Sequence, residues 1–468
     1  MSPVVNLAAG AVPPSPHRTL LDEGSRVLEE ADPALAALLD RELAQQSSTL
    51  AMVASSSVAD PSVLAAAGAV LGNVTAEGYP GARYHPGSGA FDEVERLAEE
   101  RARAAFGARY ANVQPHSCSS ANLSVLTSLL PPGGVLLGLG LDSGGHLTHG
   151  SAASVTGHWF RAVPYGLDDH GRIDYAEVLR LARAHRPGVV VAGASAYPRR
   201  IDFARFRAVA DDVGAYLVAD ISHIAGLVAA GEHPSPVDLA HVTTTSTYKQ
   251  LGGPRGGLIL IGAEHRATGP DGRTTLAELM RRAVFPRSQG TPNPAAIAAK
   301  ARALGMLRTE SARWTARLVV ENAEALAEGL IRRGREVLTG GTDNHMVVLD
   351  LRPAGLSGLV AERALEECGI LANRNTIPGD TRPALVTSGL RLGTNVLAQR
   401  GMGPAEMARC VELIDRVLTG VISVDDTTHA LDPHIRRSVR DEVRQLCASF
   451  PLPGYPAPAL RTGSEVSL

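Results

Sequence analysis

The sequence lacks the features of several specialised classes of protein. Its four cysteines, at positions 118, 368, 410 and 447, have none of the paired spacings of a zinc site, so we expect no bound metal. They are too few and too dispersed for a disulfide framework, which is typical of a reducing compartment and predicts a cytoplasmic protein. No apolar run reaches the roughly 18 residues that span a membrane. We therefore expect no membrane partner.

An excess of one charge sign is also lacking. The chain carries 45 Lys and Arg against 48 Asp and Glu, a formal net charge of −3, and its basic residues are scattered. Without a basic stripe, we expect no nucleic-acid partner. Residues 1–25 have neither the basic start nor the long apolar core of a signal peptide, and we interpret them as a mobile arm. Apolar residues make up 44% of the chain, which is enough for folded globular domains.

Two residue patterns alternate over the middle of the chain. Short apolar, β-rich runs lie at 133–139, 187–195, 215–222, 241–246 and 256–262. Helical patterns lie at 91–107, 175–186 and 203–214. Strands that are apolar throughout and alternate with helices predict an α/β fold with a large, mostly parallel sheet that is covered on both faces.

From about residue 316 the pattern is that of a smaller α+β domain, with a long helical stretch at 317–334 before an apolar run at 346–351. We predict four regions: an N-terminal arm over 1–48, a large domain over 49–315, a small C-terminal domain over 316–450 and a disordered tail over 451–468.

One acid and one lysine follow neighbouring β-rich runs. Asp220 ends the run at 215–222, and Lys249 follows the next run along the chain. Ligands of parallel sheets bind beyond the carboxyl ends of the strands. A lysine in a dry pocket can lose its proton and form a Schiff base, and an acid can keep a pyridine nitrogen protonated. Together they favour pyridoxal-phosphate chemistry, although a lone aspartate here could equally be a helix cap or a loop acid.

Two further stretches bear on an anion site. Residues 115–126, PHSCSSANLSVL, place small hydroxylated residues before a helical pattern, which suits a phosphate at a helix N-terminus but is equally typical of a plain serine cap. Residues 252–257, GGPRGG, do not match the nucleotide-binding loop GxxxxGK[ST], and we interpret their glycines as space for close packing beside Lys249.

Seven segments, in order along the chain, resemble one known family. They are AEGYPGARY (76–84), ANVQPHS (111–117), GGHLTHG (144–150), ADISHIAGLVAAG (219–231), TTTSTYKQLGGPRGGLIL (243–260), GGTDNH (340–345) and VTSGLRLGT (386–394). From about residue 48 to 450, the chain is similar to serine hydroxymethyltransferases. The resemblance implies the aspartate-aminotransferase-like fold, pyridoxal 5'-phosphate as cofactor and tetrahydrofolate as cosubstrate. It also implies a homodimer whose active sites share residues between subunits, with a tetramer left open.

The resemblance assigns roles by position. Its catalytic residues correspond to Lys249, Glu77, Asp220, His223 and Tyr84, with Lys249 as the Schiff-base lysine and Asp220 as the partner of the pyridine nitrogen. Its cofactor contacts correspond to Ser117, Cys118, Ser119, His146, Ser195, Asp220, His223, Tyr248, Lys249, Gly290 and Thr291. Its substrate contacts correspond to Ser55, Thr75, His85, Arg391, Leu141, Gly145, Leu147 and Asn375, with Arg391 for the α-carboxylate and the last four for the folate pterin.

Several departures from the family fall on these positions. Thr75 and His85 stand where the family has tyrosines, Tyr248 where it has histidine, and Cys118 where it has glycine. Residues 55–57 are Ser-Ser-Ser instead of Ser-Glu-Asn, and 285–292 read FPRSQGTP instead of FPGGQGGP. The smaller Thr75 opens volume near the amino-acid end of the substrate, and His85 can carry a proton near neutral pH.

We therefore predict a hydroxymethyltransferase with an altered amino-acid pocket, such as one for α-methylserine and alanine. Ordinary serine–glycine transfer and a folate-independent threonine-type aldolase or transaldolase are the alternatives. An aminotransferase would leave the folate-side residues without a function. A non-catalytic cofactor-binding protein would leave the catalytic residues without a function.

Overall fold

The computed structural model describes residues 14–456. The chain divides into two compact units, residues 1–45 and 46–468. Within the first unit, helix α1 (Pro16–Ala31) ends at Asp32, and α2 (Pro33–Ser48) begins at the next residue, because a proline fits the first turn of a helix but not its interior. Residues 1–13 of the predicted arm and 457–468 of the predicted tail lie outside the described residues.

The second unit contains the remaining elements. Its helices are α3 (Pro61–Ala67), α4 (Gly89–Phe106), α5 (Cys118–Leu129), α6 (Val155–Trp159), α7 (Tyr175–His185), α8 (Phe203–Val213), α9 (Ala225–Ala230), α10 (Leu276–Arg282), α11 (Pro294–Met306), α12 (Glu310–Arg332), α13 (Gly358–Glu367), α14 (Asn395–Gln399), α15 (Pro404–Gly420) and α16 (Pro433–Ser449). Its strands are β1 (Leu50–Ala51), β2 (Gly78–Tyr79), β3 (Ala82–Arg83), β4 (Tyr110–Asn112), β5 (Val135–Leu139), β6 (Arg161–Tyr165), β7 (Val189–Gly193), β8 (Tyr216–Asp220), β9 (Val242–Ser246), β10 (Gly257–Ile261), β11 (Glu336–Val337), β12 (Met346–Asp350), β13 (Ile370–Leu371), β14 (Asn373–Asn375), β15 (Gly389–Gly393), β16 (Val421–Ser423) and β17 (His429–Leu431).

A seven-stranded sheet organises the larger part of this unit, in the order β4-β10-β9-β8-β7-β5-β6. Strands β6, β5, β7, β8 and β9 are parallel, whereas β10 and β4 run antiparallel to their neighbours. Every residue of β7, β9 and β10 is buried, as expected for strands covered on both faces. The sheet confirms the predicted α/β class and brings the carboxyl ends of β5, β7, β8 and β9 to one edge.

Helices cover both faces of this sheet. One hydrophobic cluster contains Phe91 of α4, Val178 of α7, Phe206 of α8 and Ile297 of α11, all at most 1% exposed. A second cluster on the sheet contains apolar residues of α5 and α10, such as Val125 and Leu276. The sheet is therefore sandwiched between helix layers.

A four-stranded sheet, β11-β12-β15-β14, forms a separate core with apolar residues of α12, α13, α15 and α16. Leu50 and Met52 also pack in this core, because β1 pairs with β13. The predicted division placed the residues directly after 48 in the large domain, whereas Leu50 and Met52 pack in the core of the four-stranded sheet. The division at 315/316 stays a prediction. Of the predicted tail, residues 451–456 are described, and Leu452 is buried.

No helix within residues 14–456 has both the length and the apolar composition needed to cross a bilayer.

Candidate active site

Asp220 lies at the carboxyl end of β8 and is buried. Its Oδ2 accepts hydrogen bonds from Asn122 Nδ2 at 2.8 Å and lies 3.2 Å from His149 Nε2, while its Oδ1 accepts from the Ser222 amide at 2.9 Å. Burial alone would raise the pKa of this carboxyl, but the hydrogen bonds from His149 and Ser222 hold that pKa well below its usual value. Asp220 is therefore a fixed negative charge.

His149 and Asn122 were not among the sequence-predicted site residues. Asn122 lies in the first turns of α5 and also accepts a hydrogen bond from Thr244 Oγ1 at 2.6 Å. His149 lies three residues after His146, in the loop that follows β5. The repeated histidine in GGHLTHG was the available signal for His149, whereas nothing local marks Asn122 as an Asp220 partner.

Lys249 lies in a tight turn after β9. Its carbonyl accepts from the Gly252 amide at 3.0 Å, and the Gly253 amide donates to Thr247 O at 2.8 Å. The side chain is 7% exposed, and within residues 14–456 its Nζ donates no hydrogen bond. Burial lowers the pKa of Lys249, and the charge of Asp220 partly offsets this effect. A buried amine with a lowered pKa suits a nucleophile.

Tyr248 stacks with a cation. The Arg255 guanidinium carbon lies 4.1 Å from the centroid of the Tyr248 ring, and Lys249 Nζ lies 6.0 Å from the same centroid. A guanidinium over a tyrosine face is a favourable cation–π arrangement. The residue that departs from the family at 248 thus lies near both Arg255 and Lys249.

The N-terminus of α5 forms the candidate anion site. Ser117 Oγ accepts from the Ser120 amide at 3.0 Å, and Ser120 Oγ accepts from the Ser117 amide at 2.9 Å, which closes a capping box. Among the described residues, the amides of Cys118 and Ser119 have no hydrogen-bond partner. Two free amides at a helix N-terminus suit a phosphate. The serine cap is thus observed, and the anion site at the same residues stays a prediction.

Cys118 points away from solvent, toward Asp220. Its Sγ lies 3.7 and 3.8 Å from the two carboxylate oxygens of Asp220 and accepts a hydrogen bond from Ser222 Oγ at 3.0 Å. Burial and the nearby charge of Asp220 raise the pKa of the thiol, which keeps it protonated. The Cys118 side chain thus contacts Asp220 and Ser222 within the candidate site.

The glycines that follow Lys249 allow residues other than Lys249 to pack closely against the backbone. A Cβ added to Gly256 would lie 2.2 Å from Cε of Lys300, and one added to Gly257 would lie 2.4 Å from the carbonyl oxygen of Ser117. The prediction that GGPRGG provides packing space therefore holds with different partners: Lys300 of α11 and the first residue of the anion site.

Histidines line the space beside Asp220 and Lys249. The pKa of His146 is lowered to about 4, mainly by burial, and its Nδ1 lies 2.7 Å from Thr148 Oγ1. The His223 ring stacks on His345, with centroids 5.9 Å apart and planes at 22°. His223 Nδ1 and both ring nitrogens of His345 are buried without a hydrogen-bond partner in the described residues. Unpaired buried nitrogen atoms at one site favour a polar ligand.

Arg391 lies on β15 of the second core and reaches the end of β7. Its Nη1 donates to the Ser195 carbonyl, and its Nε donates to Asn373 Oδ1 at 3.1 Å. Burial lowers the pKa of Arg391 to about 10. Within the described residues no carboxylate pairs with this guanidinium, which leaves it suited to the carboxylate of a ligand.

The predicted one-carbon residues form a second group. The Glu77 amide donates to His85 Nδ1 at 3.4 Å, and a Cβ added to Gly290 would lie 2.9 Å from Glu77 Oε1. Tyr84 packs on Phe285 with centroids 5.6 Å apart, although its side chain is 74% exposed. No hydrogen bond, ion pair or ring contact among the described residues joins this group directly to Lys249 or Asp220.

The remaining predicted positions lie at the edges of these groups. Thr75 is exposed and Thr291 half-buried, near the Glu77 group in sequence. Leu141 lines an open cleft of about 760 Å³ together with His146 and Thr376. Asn375 and Thr376 line a small neighbouring cavity. Leu147 is exposed, and Gly145 is buried where a Cβ would lie 2.0 Å from Leu139 O.

The donor set fits pyridoxal phosphate. Lys249 has an amine that could bind an aldehyde, Asp220 has a carboxylate that could pair with a ring nitrogen, and the α5 N-terminus has free amides that could bind a phosphate. Ligand atoms of His146, His149 and Asp220 lie within 4.8 Å of one another, as a metal site would require. His149 Nε2 and Asp220 Oδ2, 3.2 Å apart, also lie at hydrogen-bonding distance from each other.

Comparison with known proteins agrees with this geometry. The family model described as serine hydroxymethyltransferase matches residues 28–414. The serine hydroxymethyltransferase of Synechococcus sp. (strain JA-3-3Ab) is 48% identical over 444 residues, covering 92% of this chain and 97% of that protein. That of Rhodospirillum centenum (strain ATCC 51521 / SW) is 47% identical over 432 residues, again covering 92% and 97%. The chain therefore belongs to the serine hydroxymethyltransferase family and is a pyridoxal-phosphate-dependent hydroxymethyltransferase with tetrahydrofolate as cosubstrate.

Proposed function

We propose that the amino acid handled at this site carries a methyl group at Cα, with α-methylserine and alanine as the substrate pair. The Cα–Cβ bond of α-methylserine breaks, its one-carbon unit passes to tetrahydrofolate with loss of water, and a proton takes its place at Cα to leave alanine. The observation that carries this proposal is the pair of small side chains at Ser56 and Ser57, in the segment beside the strand that bears Arg391.

Those serines lie close to the end of the Arg391 strand. A Cβ added to Gly393 would lie 2.5 Å from Cα of Ala54, and Asn395 Nδ2 donates to the carbonyls of Ala54 and Ser56 at 2.9 and 3.3 Å. The backbone of residues 54–56 thus lies beside the end of β15, where Gly393 is two residues beyond Arg391. Ser56 and Ser57, in place of the glutamate and asparagine of the family, leave volume in this segment for an additional methyl group.

The cofactor roles are proposed from the same geometry. Pyridoxal phosphate, when bound, stabilises the negative charge that develops at Cα as a bond to it breaks. Lys249 would attach the cofactor through its amine, and Asp220 would hold a proton on the ring nitrogen. The Cys118 and Ser119 amides would bind the phosphate, together with Ser117. The other proposed contacts are His146, Ser195, His223, Tyr248, Gly290 and Thr291.

The substrate roles divide between the two residue groups. Arg391 would bind the α-carboxylate with two parallel hydrogen bonds. Glu77 would move a proton during one-carbon transfer, and Tyr84 and His85 would flank it. The folate pterin would contact the positions around the His146 cleft, namely Leu141, Gly145, Leu147 and Asn375.

Steady-state rates test the substrate proposal. We expect faster turnover of α-methylserine than of L-serine, and dependence on added tetrahydrofolate for both. Thr75→Tyr, which restores the bulk of the family residue, should shift the preference toward L-serine, whereas Thr427→Tyr on the exposed β16–β17 turn should not. Equal or faster turnover of L-serine by the wild type would contradict the proposal. Cleavage of L-threonine without folate as the main activity would favour an aldolase.

We further propose that the active site is completed by a second copy of the chain. Among the described residues no hydrogen bond, ion pair or ring contact joins Glu77, Tyr84 or His85 to Lys249 or Asp220, and Tyr84 is 74% exposed in a single chain. An exposed aromatic residue beside a candidate catalytic acid is consistent with an interface. A two-fold dimer would let each chain supply Glu77 to its partner's Lys249.

Mixing two inactive variants tests this arrangement. Lys249→Met and Glu77→Gln should each abolish activity alone. After the two chains are unfolded and refolded together, random pairing should restore about a quarter of wild-type activity, since half the dimers each carry one intact site. A mixture as inactive as its components would contradict sharing. Light scattering of the wild type would distinguish a dimer from a tetramer.

A further inference from the structure

Lys300 of α11 is a buried cation without an anionic partner. Its side chain is 2% exposed, and its Nζ donates to three backbone carbonyls, those of Val113 at 2.6 Å, Pro115 at 3.0 Å and Gly257 at 3.1 Å. No carboxylate pairs with it anywhere in residues 14–456. Burying a charge that interacts only with backbone dipoles costs free energy, so we expect the charge to have a role.

The three carbonyls belong to the two segments that form the candidate anion site. Val113 and Pro115 lead from β4 into the capped N-terminus of α5, and Gly257 begins β10 after the Lys249 turn. The Gly257 amide also donates to the Pro115 carbonyl at 3.0 Å. Lys300 thus ties the loop that presents the Cys118 amide to the strand beyond Lys249.

The ammonium of Lys300 binds the backbone that leads into the candidate anion site. Within the described chain no other cation hydrogen-bonds to the backbone of residues 113–117. Burial lowers the pKa of Lys300 to about 7, and the charge of Glu95 on α4 partly offsets this effect. A phosphate dianion near this ammonium would favour its charged form. The buried charge thus lowers the stability of the protein by itself, and it would strengthen the binding of an anionic ligand.

We propose that Lys300 is a positioning residue of the phosphate site, holding the loop before α5 in place and supplying a buried positive charge to the cofactor phosphate. This inference rests on the proposed phosphate role of residues 117–119. It predicts an effect on the phosphate-bearing cofactor and not on the rest of the cofactor.

Two cofactor forms separate this role from a merely structural one. Dissociation constants of the cofactor-free protein are measured by absorbance for pyridoxal phosphate and for pyridoxal, which lacks the phosphate. In Lys300→Met we expect the affinity for pyridoxal phosphate to fall about tenfold or more, while that for pyridoxal changes less than about twofold. Lys300→Gln, which keeps hydrogen-bond donors without the charge, should lie between.

Arg400→Met is the matched control. Arg400 is also a buried cation that donates to backbone carbonyls, those of Cys447 at 3.3 Å and Phe450 at 2.7 Å, but it lies in the second core. Its loss should lower the melting temperature and leave the ratio of the two affinities unchanged.

Three results would overturn the inference. Equal weakening of both cofactor forms in Lys300→Met would make Lys300 a stability residue only. If that variant does not fold, a wild-type affinity ratio in Lys300→Gln has the same meaning. A wild type that binds pyridoxal as tightly as pyridoxal phosphate would overturn the proposed phosphate site itself, and this inference with it.

Discussion

Replacing Gly257 with alanine should disturb the phosphate site without removing any charged or catalytic side chain. The new Cβ would lie 2.4 Å from the Ser117 carbonyl oxygen, 2.7 Å from the Ser117 carbonyl carbon and 3.0 Å from the Cys118 amide nitrogen. Ordinary contact begins at about 3.4 Å, so β10 or the start of α5 must move by about 1 Å. All three neighbours are backbone atoms, so the clash cannot be relieved by a change of side-chain rotamer.

Overpacking of this kind destabilises a protein by about 1–3 kcal/mol. The displaced amides of Cys118 and Ser119 should also bind a phosphate less well, and a loss of about 1.4 kcal/mol corresponds to tenfold in affinity. We expect Gly257→Ala to lower the melting temperature of the cofactor-free protein. We also expect it to lower the affinity for pyridoxal phosphate about tenfold. Both quantities are accessible by differential scanning calorimetry and absorbance titration.

Gly24→Ala is the control, because no atom lies within 4 Å of the Cβ it would add to α1. It should leave cofactor affinity unchanged and should not lower the melting temperature. Wild-type cofactor affinity in Gly257→Ala would refute the assignment of the α5 N-terminus as the phosphate site.

Three other changes have defined outcomes. Arg391→Lys should raise the KM of the amino acid more than about tenfold, measured by steady-state kinetics, because lysine cannot form two parallel hydrogen bonds to a carboxylate. Cys118→Gly should destabilise the protein by about 1 kcal/mol in thermal unfolding, because Ser222 Oγ loses its acceptor. Burial lowers the pKa of His345 to about 3 in the folded protein. As the pH falls below about 6.5, the unfolded protein therefore binds a proton at this residue before the folded protein does. Stability is lost from that pH toward pH 3. His345→Leu should flatten that decline by up to about 1.4 kcal/mol per pH unit in urea titrations, and an unchanged slope would contradict this.

The sheet and the Lys249–Asp220 pair were predictable because both follow from local patterns. Apolar runs alternating with helices imply parallel strands, and parallel strands bring their carboxyl ends to one edge. Asp220 and Lys249 each follow such a run. The break between α1 and α2 was equally local, since Pro33 alone ends one helix and begins the next.

The polar partners of the site were not predictable in this way. Asn122, His149 and Asp220 come from a helix, a loop and a strand, and their contacts depend on the tertiary fold. Lys300 lies in the alanine-rich stretch PAAIAAKARALG, where the pattern is that of an ordinary helical lysine. Only the approach of β4 and β10 reveals that its ammonium bonds to three carbonyls.

The position of Leu50 and Met52 in the second core has a similar cause. Their segment is only a few residues long, and β1 pairs with β13, which lies more than 300 positions later in the sequence. Long-range pairing of such short strands leaves no periodic signal in the sequence.

Direct competition tests the central claim of an altered amino-acid pocket most closely. The wild-type protein, loaded with pyridoxal phosphate, is given equal concentrations of α-methylserine and L-serine with tetrahydrofolate, and the initial rates of alanine and glycine formation are measured together. Their ratio equals the ratio of the two kcat/KM values. The account predicts that alanine forms faster. Glycine formation at an equal or higher rate would contradict it.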